Sequence, residues 1–318
     1  MRRPDELVHG GDALQVVFPG HERACVARKC CGIARYVGDP PNIRCRQLLD
    51  LTRGSGARRI DHGRGVANMV GGCCTEGLDT FDPMRQVLCE WGLHGIEALR
   101  DRVAALVIVD VLSFSTAVDV AVARGAFVIP FAQGGRTAAE AAAAAGAVLA
   151  TPRADGAGFS LSPPSLSRIA RGTRLLLPSP NGARLSLAAG AVPVFTGCLR
   201  NAEAVGAAVR AVAGEGAVGV VPAGEQWPDG NLRPAVEDLL GAGAILDALD
   251  LPLSPEARVA RDAFRAALPD LDAILREAVS GRELIGRGFA GDVEFAAALH
   301  VSGTAPLLRE GAYQAAAL

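Results

Sequence analysis

The chain has 318 residues, a formal net charge of -2 at pH 7 and only 4% aromatic residues. This length suits one large α/β domain or two smaller ones, and the near-neutral charge gives no basic surface typical of nucleic-acid binding. No apolar run reaches the roughly 18 residues of a membrane helix, and the amino end has no secretory apolar region, so we expect a cytoplasmic protein.

The first 83 residues differ from the rest of the chain. They are rich in Arg, Gly and Cys, and they show little strand or helix periodicity. We interpret residues 1–83 as an irregular extension, with Met84 as a possible true start, while a genuine small extension is the alternative. Most of the cysteines lie there, at spacings that fit no common zinc frame, so unligated thiols are favoured over a zinc site.

From residue 84 onward, strand and helix patterns alternate. Strands are predicted at residues 87–91, 104–110, 127–131, 148–150, 174–177, 192–196 and 218–221. Helices are predicted at residues 95–102, 115–124, 138–145, 165–170, 183–189, 202–213, 235–249, 255–268 and 270–278. Thr137 and Glu140 have the spacing of a capping box. This alternation favours a largely parallel sheet covered by helices, and residues 84–318 are predicted to form that α/β domain.

The chain is organised around the stretch at residues 106–116. An apolar run at 106–109 predicts a buried strand, which ends at Asp110. Ser113, Ser115 and Thr116 then offer N-caps for the next helix. A carboxylate at a strand end can bind a metal, and a helix start can bind phosphate, but Asp110 could equally serve only to cap the helix.

Polar residues follow several of the predicted strands. They are Asp110, Ser113, Ser115, Thr116, Arg153, Ser160, Ser162, Ser179, Asn181, Gly182, Asn201, Glu225, Glu237 and Asp238. In a mainly parallel sheet these residues would converge at one edge. Carboxylates suit a hard cation such as Mg²⁺, whereas arginine and N–H-rich turns suit phosphate. Together they predict metal-assisted chemistry on a phosphorylated anion.

Each cluster also has an ordinary structural interpretation. Asn181-Gly182 is a common turn dipeptide. Glu237 and Asp238 fall in the first turn of a predicted helix, where acidic residues are stabilising. Arg153 could be a solvated surface charge, which is the usual state of arginine. These alternatives stay open on the residues alone.

The order of the motifs resembles the 2-phosphosulfolactate phosphatase family, from about Met84 to Pro306. The matching segments are VDVLSFST (109–116), GFSLSP (158–163), PSPNGA (178–183), RNA (200–202), PAGE (222–225) and VEDLLGAG (236–243). The resemblance implies a three-layer α/β/α fold with a mostly parallel or mixed sheet. It also implies a Mg²⁺-dependent phosphatase of the coenzyme M pathway, which converts 2-phosphosulfolactate to 3-sulfolactate and phosphate.

The family's functional positions carry over one by one. The matching residues are Asp110, Arg153, Asn181, Gly182, Asn201, Glu237 and Asp238. Two departures stand out: Ser113 occupies a position where the family often has arginine, and Thr151-Pro152 replaces a Gly-Glu pair before Arg153.

The combined hypothesis is a Mg²⁺-assisted phosphomonoester hydrolase. Metal ligands are expected at Asp110 and Glu237, and catalytic roles at Asp110, Arg153, Asn181 and Asp238. Substrate contacts are expected at Ser115, Thr116, Ser162, Gly182 and Asn201. The expected partner is a small phosphorylated anion, with neither nucleic acid nor membrane, and a homodimer is an open option. A phosphatase with another small substrate and a non-catalytic anion binder are the alternatives.

Overall fold

The computed structural model describes residues 7–10, 13–16, 25–30, 33–34, 86–132, 135, 137–156 and 158–317. The chain divides into two compact units, Met1–Glu76 and Gly77–Leu318. Met84 lies outside the described residues, so the start at this position stays a prediction. Among the described helices, none combines the length and the apolar composition needed to cross a bilayer.

The first unit contains four short antiparallel strands in the order β1-β2-β3-β4. They are β1 (Leu7–Gly10), β2 (Ala13–Val16), β3 (Cys25–Cys30) and β4 (Ile33–Ala34). No regular element was predicted in this segment. Strands this short leave too few alternations for a period-2 signal to stand out from a Gly- and Arg-rich background.

The second unit is built on a nine-stranded sheet in the order β5-β11-β6-β10-β14-β15-β7-β9-β8. Its strands are β5 (Val87–Cys89), β6 (Ala105–Val109), β7 (Phe127–Phe131), β8 (Val148–Leu149), β9 (Arg174–Pro178), β10 (Val194–Gly197), β11 (Val218–Pro222), β14 (Pro306–Arg309) and β15 (Ala312–Ala315). A separate two-stranded ribbon pairs β12 (Glu225–Gln226) with β13 (Leu232–Arg233).

Helices connect most of these strands. They are α1 (Gly92–Leu99), α2 (Phe114–Ala123), α3 (Ala138–Ala144), α4 (Pro163–Leu166), α5 (Gly182–Ala188), α6 (Ala202–Ala213), α7 (Val236–Leu249), α8 (Pro255–Ala267), α9 (Leu271–Glu277), α10 (Val279–Gly286) and α11 (Ala290–Ala297). The predicted capping box is confirmed, because Thr137 accepts the Glu140 N–H while the Glu140 carboxylate accepts the Thr137 N–H.

The sheet is mixed. Strand β6 lies parallel to both β11 and β10, with Val107 opposite Val220 and Phe195. The β14–β15 hairpin is antiparallel to both of its neighbours, β10 and β7. Strands β7, β8 and β9 therefore run opposite to β5, β6, β10 and β11. Neighbouring strands rotate by roughly 20–25°, so the five steps from β6 to β9 turn β9 by about 100–125°. The twist of the sheet thus reduces the angle between the directions of β6 and β9, which would be opposite in a flat sheet.

The β14–β15 hairpin was not predicted. Its signal was the dipeptide Glu310-Gly311 between two short apolar runs, and both residues have positive φ, 51° and 78°. Two successive positive-φ residues are typical of the tight turns that join antiparallel strands. The hairpin lies in the middle of the sheet although it ends the chain, a position that local patterning does not report.

Helices cover both faces of the sheet, which confirms the three-layer architecture. Ala105, Val107 and Val109 of β6 pack into one hydrophobic core, together with residues of α6, α7 and α8. Leu106 and Ile108 point the other way, into a second core with residues of α1, α2 and α5. Burial on both faces explains the continuous apolar run of this strand.

Helix α2 is buried along almost its entire length, from Phe114 to Val122. The Phe114 ring meets Tyr313 of β15 edge-on, with ring centroids 6.1 Å apart. The Tyr313 hydroxyl in turn shares a hydrogen bond of 2.7 Å with Ser186 of α5. The C-terminal hairpin therefore fixes both α2 and α5, and with them the loops that precede these two helices.

Candidate active site

Asp110 lies at the end of β6 and joins two helix starts. One carboxylate oxygen, Oδ1, accepts the Phe114 N–H at 3.1 Å, as a helix cap does. The other, Oδ2, accepts the Gly182 N–H at 2.9 Å, although 72 residues separate the two positions. The backbone N–H of Asp110 donates to Ser115 Oγ at 2.8 Å. Capping therefore accounts for one oxygen only, and the second connects the β6 loop to the β9–α5 turn.

Gly182 allows this close approach because it has no side chain. A Cβ atom at this position would lie 2.2 Å from Phe114 Cδ1, well inside van der Waals contact. The Asn-Gly dipeptide is therefore more than an ordinary turn signal here. Packing of α5 against α2 requires glycine, and this packing brings the Gly182 N–H to Asp110.

Asp238, in the first turn of α7, connects the loops that follow β6 and β11. Its Oδ1 accepts the Val111 N–H at 2.7 Å, and its Oδ2 accepts the Gly224 N–H at 2.9 Å. The residue is only 4% exposed. The sequence offered a helix-dipole role for this carboxylate, but both oxygens bond backbone N–H groups of the β6 and β11 loops.

Two further carboxylates complete a group that we call the acidic cluster, namely Asp110, Glu225, Glu237 and Asp238. Glu225 accepts the Asn181 Nδ2–H at 2.9 Å. Glu237 is 3% exposed, and no hydrogen bond joins its carboxylate to another side chain or backbone group in the described part of the chain. Among the described residues no fully buried side-chain oxygen lacks a hydrogen-bond partner, so the Glu237 carboxylate keeps some access to solvent and is open to a ligand.

Burial and mutual repulsion raise the pKa values in this cluster. Burial is the largest cause for Asp110, followed by the charges of Glu225 and Glu237, and together they raise its pKa to about 7. Burial and then the charges of Asp110 and Glu237 raise the pKa of Asp238 well above its ordinary value. Burial likewise raises the pKa of Glu225, while Asn181 and Arg233 oppose this rise. Like charges held together in this way favour the binding of a cation or of protons.

Arg153 belongs to a neighbouring group with balanced charge. Its Nε donates to Asp292 at 2.9 Å, and its Nη2 donates to Ser113 Oγ at 2.7 Å. Asp292 is 2% exposed and also accepts the Ser162 hydroxyl. Arg153 and Ser162 line a cavity of about 200 Å³. Ser113 lies three residues after Asp110, so this arginine is connected directly to the β6 loop.

The remaining predicted substrate ligands bond to the protein itself. Ser115 Oγ shares a hydrogen bond of 2.7 Å with Thr196, and Thr116 Oγ1 donates to the Val111 carbonyl at 2.8 Å. Asn201 is buried, accepts the Cys198 N–H at 2.9 Å and donates to the Thr304 carbonyl at 3.1 Å. These contacts order the loops behind the acidic cluster, and substrate contacts at the three residues stay predictions.

The sequence analysis did not single out two buried acidic residues, Asp119 and Asp292. Asp292 reaches Arg153 across 139 residues. Asp119, inside α2, accepts Arg200 Nε at 2.9 Å and the Ser302 hydroxyl. No local pattern marks either pair, because the partners are far apart in sequence. An acidic residue within the apolar run of α2 was the one available signal for Asp119.

The donor set fits Mg²⁺. Within the described residues, no three His, Cys, Asp or Glu side chains gather closely enough to hold a metal ion by themselves. Mg²⁺ typically takes one or two carboxylates and keeps water or substrate phosphate oxygens as its other ligands. Glu237 has no hydrogen bond within the described residues and its charge acts on Asp110, so these two carboxylates would meet that requirement.

The similarity to known proteins lies in the part of the chain that contains this site. Positions 94–311 match the family model described as 2-phosphosulpholactate phosphatase. A curated 2-phosphosulfolactate phosphatase from Methanothermobacter thermautotrophicus is 34% identical over 157 residues, which cover 48% of this chain and 64% of that protein. The aligned part is thus less than two thirds of the relative's length. The matched region contains every residue of the site described above, and the chain belongs to the 2-phosphosulpholactate phosphatase family.

Proposed function

We propose that this protein is a Mg²⁺-assisted phosphatase that hydrolyses 2-phosphosulfolactate to 3-sulfolactate and phosphate. The observation that carries the proposal is the acidic cluster, in which Asp110 and Glu237 lie buried and neither forms an ion pair with a basic side chain of the described residues. Family membership supports the substrate, and this reaction would belong to coenzyme M biosynthesis.

In this proposal Asp110 and Glu237 hold the metal ion. A bound Mg²⁺ would neutralise charge that develops on the phosphate and lower the pKa of a coordinated water. Because the pKa of Asp110 is raised to about 7, ion binding there would compete with protonation near neutral pH. Asp238 keeps the β6 and β11 loops in place through Val111 and Gly224, and its carboxyl is our candidate for proton exchange with the attacking water.

Arg153 supplies positive charge for the phosphate oxygens. Arginine suits this role because its planar guanidinium matches oxyanion geometry. Asp292 and Ser113 each hold one side of the guanidinium, which fixes its orientation before substrate arrives. Asn181, held by Glu225, would orient the rest of the substrate from the β9–α5 turn.

A phosphatase with another small phosphorylated acid is the second candidate. Ser113 and Thr151-Pro152 depart from the family pattern close to Arg153, so the anion-binding side differs while the acidic cluster is retained. A non-catalytic anion binder would share these departures, but it would have no need for a group of four neighbouring carboxylates.

The test is phosphate release from 2-phosphosulfolactate and from a panel of other phosphorylated small acids, with Mg²⁺ and with a chelator. We expect Mg²⁺-dependent turnover that falls by about 10²–10⁴-fold in Asp110→Asn, a range typical of groups acting directly on the reacting atoms. Glu237→Gln is a second variant, because it removes charge without removing a protein hydrogen bond.

Asp262→Asn is the matched control, since this carboxylate is exposed on α8. Turnover that Asp110→Asn and Glu237→Gln leave unchanged would contradict the proposed site. Turnover of another panel member alone would favour the second substrate class. Ligand-dependent thermal stabilisation without phosphate release would favour the binder.

A further inference from the structure

A cavity of about 170 Å³ lies beside the acidic cluster. The start of α1, the β9–α5 turn and the loop around β12 enclose it. Among its lining residues are two potential cations, His94 of α1 and Arg184 of α5, and two members of the site, Asn181 and Glu225. Two residues of the candidate site therefore form part of the wall of this cavity.

Arg184 differs from the other arginines at this end of the molecule. Arg153 and Arg200 are each paired with a buried aspartate at 2.9 Å. Arg184 is exposed, and within the described residues it makes no ion pair and no hydrogen bond. It also borders a second cavity, of about 560 Å³, together with Pro180 and Gln226. Its guanidinium charge is therefore available to a ligand from either cavity.

This cavity and the acidic cluster share a residue, because Glu225 belongs to both. Arg184 follows Gly182, whose N–H binds Asp110 at 2.9 Å. Asn181 lines the cavity and binds Glu225, and the charge of Glu225 acts on Asp110. A small substrate held at the acidic cluster would thus have one end within reach of this cavity.

We propose that Arg184, assisted by His94, binds the sulfonate of the substrate and so selects for a sulfonated phosphoester. This inference rests on the proposed function and adds a specificity site to it. A guanidinium can bind two oxygens of a sulfonate at once, and an imidazole N–H can donate to the third. The acidic cluster repels a free sulfonate, so the Arg184 guanidinium across the cavity would direct that group away from the metal-binding carboxylates.

The test compares two substrates that differ only in the sulfonate, 2-phosphosulfolactate and 2-phospholactate. In Arg184→Gln we expect KM for the sulfonated substrate to rise by roughly 10–100-fold, as for the loss of a charged hydrogen-bonded pair. The loss of kcat/KM should be at least tenfold larger for the sulfonated substrate than for 2-phospholactate. Arg184→Lys should recover part of the preference, His94→Gln should show a smaller loss, and Arg258→Gln on α8 is the matched surface control.

Equal losses of kcat/KM for both substrates in Arg184→Gln, or no loss for either, would overturn the inference. A calorimetric titration with 3-sulfolactate and with lactate separates this outcome from failure of the proposed function. If the wild type binds 3-sulfolactate through Arg184 without hydrolysing the phosphoester, the sulfonate site stands and the phosphatase proposal fails. Phosphoester hydrolysis with no Arg184-dependent preference retains the phosphatase and removes the sulfonate site.

Discussion

The buried acids of this protein fall into two kinds of environment. Asp119 and Asp292 each lie against one arginine, Arg200 and Arg153, at 2.9 Å, and each also accepts a serine hydroxyl. The acidic cluster has the opposite balance: burial and neighbouring carboxylates raise the pKa values of Asp110 and Asp238, and no arginine of the described residues is paired with either. Paired charges hold elements together, whereas the unbalanced group stores repulsion that a bound cation would relieve.

The largest expected effect comes from breaking a balanced pair. Arg200→Ala would leave Asp119 buried without its ion partner, and we expect the free energy of unfolding to fall by about 3–5 kcal/mol. Denaturant unfolding of the wild type and the variant measures this loss. Arg258→Ala is the control, because this arginine is exposed on α8. A loss below about 1 kcal/mol, the usual range of surface ion pairs, would show that the pair is not a structural one.

The next effect concerns a cation in the acidic cluster. Mg²⁺ at 100 times its dissociation constant should add about 2.7 kcal/mol to the free energy of unfolding, because it binds the folded state alone. Glu237→Gln should remove most of this gain, while Glu277→Gln on the exposed surface of α9 should retain it. Equal stabilisation of the two variants by Mg²⁺ would place the ion elsewhere.

A smaller loss is expected from Gly182→Ala. The new Cβ would meet the Phe114 ring, and such overpacking typically costs about 1–3 kcal/mol. Displacement of α5 should also move the Gly182 N–H away from Asp110 and reduce phosphatase activity. Gly286→Ala is the control, since nothing lies within 4 Å of a Cβ there. Unchanged stability and activity in Gly182→Ala would contradict the close packing of α2 and α5.

The last prediction concerns the dependence of stability on pH, and the change that Glu237→Gln makes to this dependence is the smallest effect. The folded-state pKa of Asp110 lies near 7, above its ordinary value of 3.8, so between these values the folded protein keeps a proton that the unfolded chain has lost. The free energy of unfolding of the metal-free protein should therefore fall as pH rises from about 4 to about 7. The raised pKa of Asp238 acts in the same direction.

Glu237→Gln isolates this contribution, because it removes a charge that raises both pKa values. We expect it to flatten the decline and to stabilise the metal-free protein at pH 7 by about 1 kcal/mol, a typical Coulomb contribution. Denaturation curves at pH 5, 6, 7 and 8 measure the difference from the wild type. A steeper decline in the variant would mean that Glu237 does not repel Asp110 and Asp238.

Much of the second unit was predictable from local pattern. The continuous apolar run of β6 predicted a strand buried on both faces, and its residues do pack into both cores. The Thr137 capping box was predicted from its end signals, and the helix predicted at residues 235–249 is observed at Val236–Leu249. These features depend on residues within a few positions of each other, where periodicity and capping chemistry act directly.

The motif order likewise identified the family before the fold was known, and placed Asp110, Asn181, Gly182, Glu237 and Asp238 among the residues of interest. What the pattern could not supply was the partner of each residue. The Asp110–Gly182 bond and the Arg153–Asp292 pair join residues 72 and 139 positions apart, and the β14–β10 pairing sets Leu307 opposite Phe195, 112 positions earlier.

The amino-acid sequence by itself determined the alternation of strands and helices, the family and the kinds of side chain available at the strand ends. Only the tertiary structure decided which of those charges are neutralised and which remain unpaired. The reason is physical: helix and strand preferences are set by neighbours along the chain, whereas burial and charge pairing are set by whatever the folded sheet brings within a few ångströms.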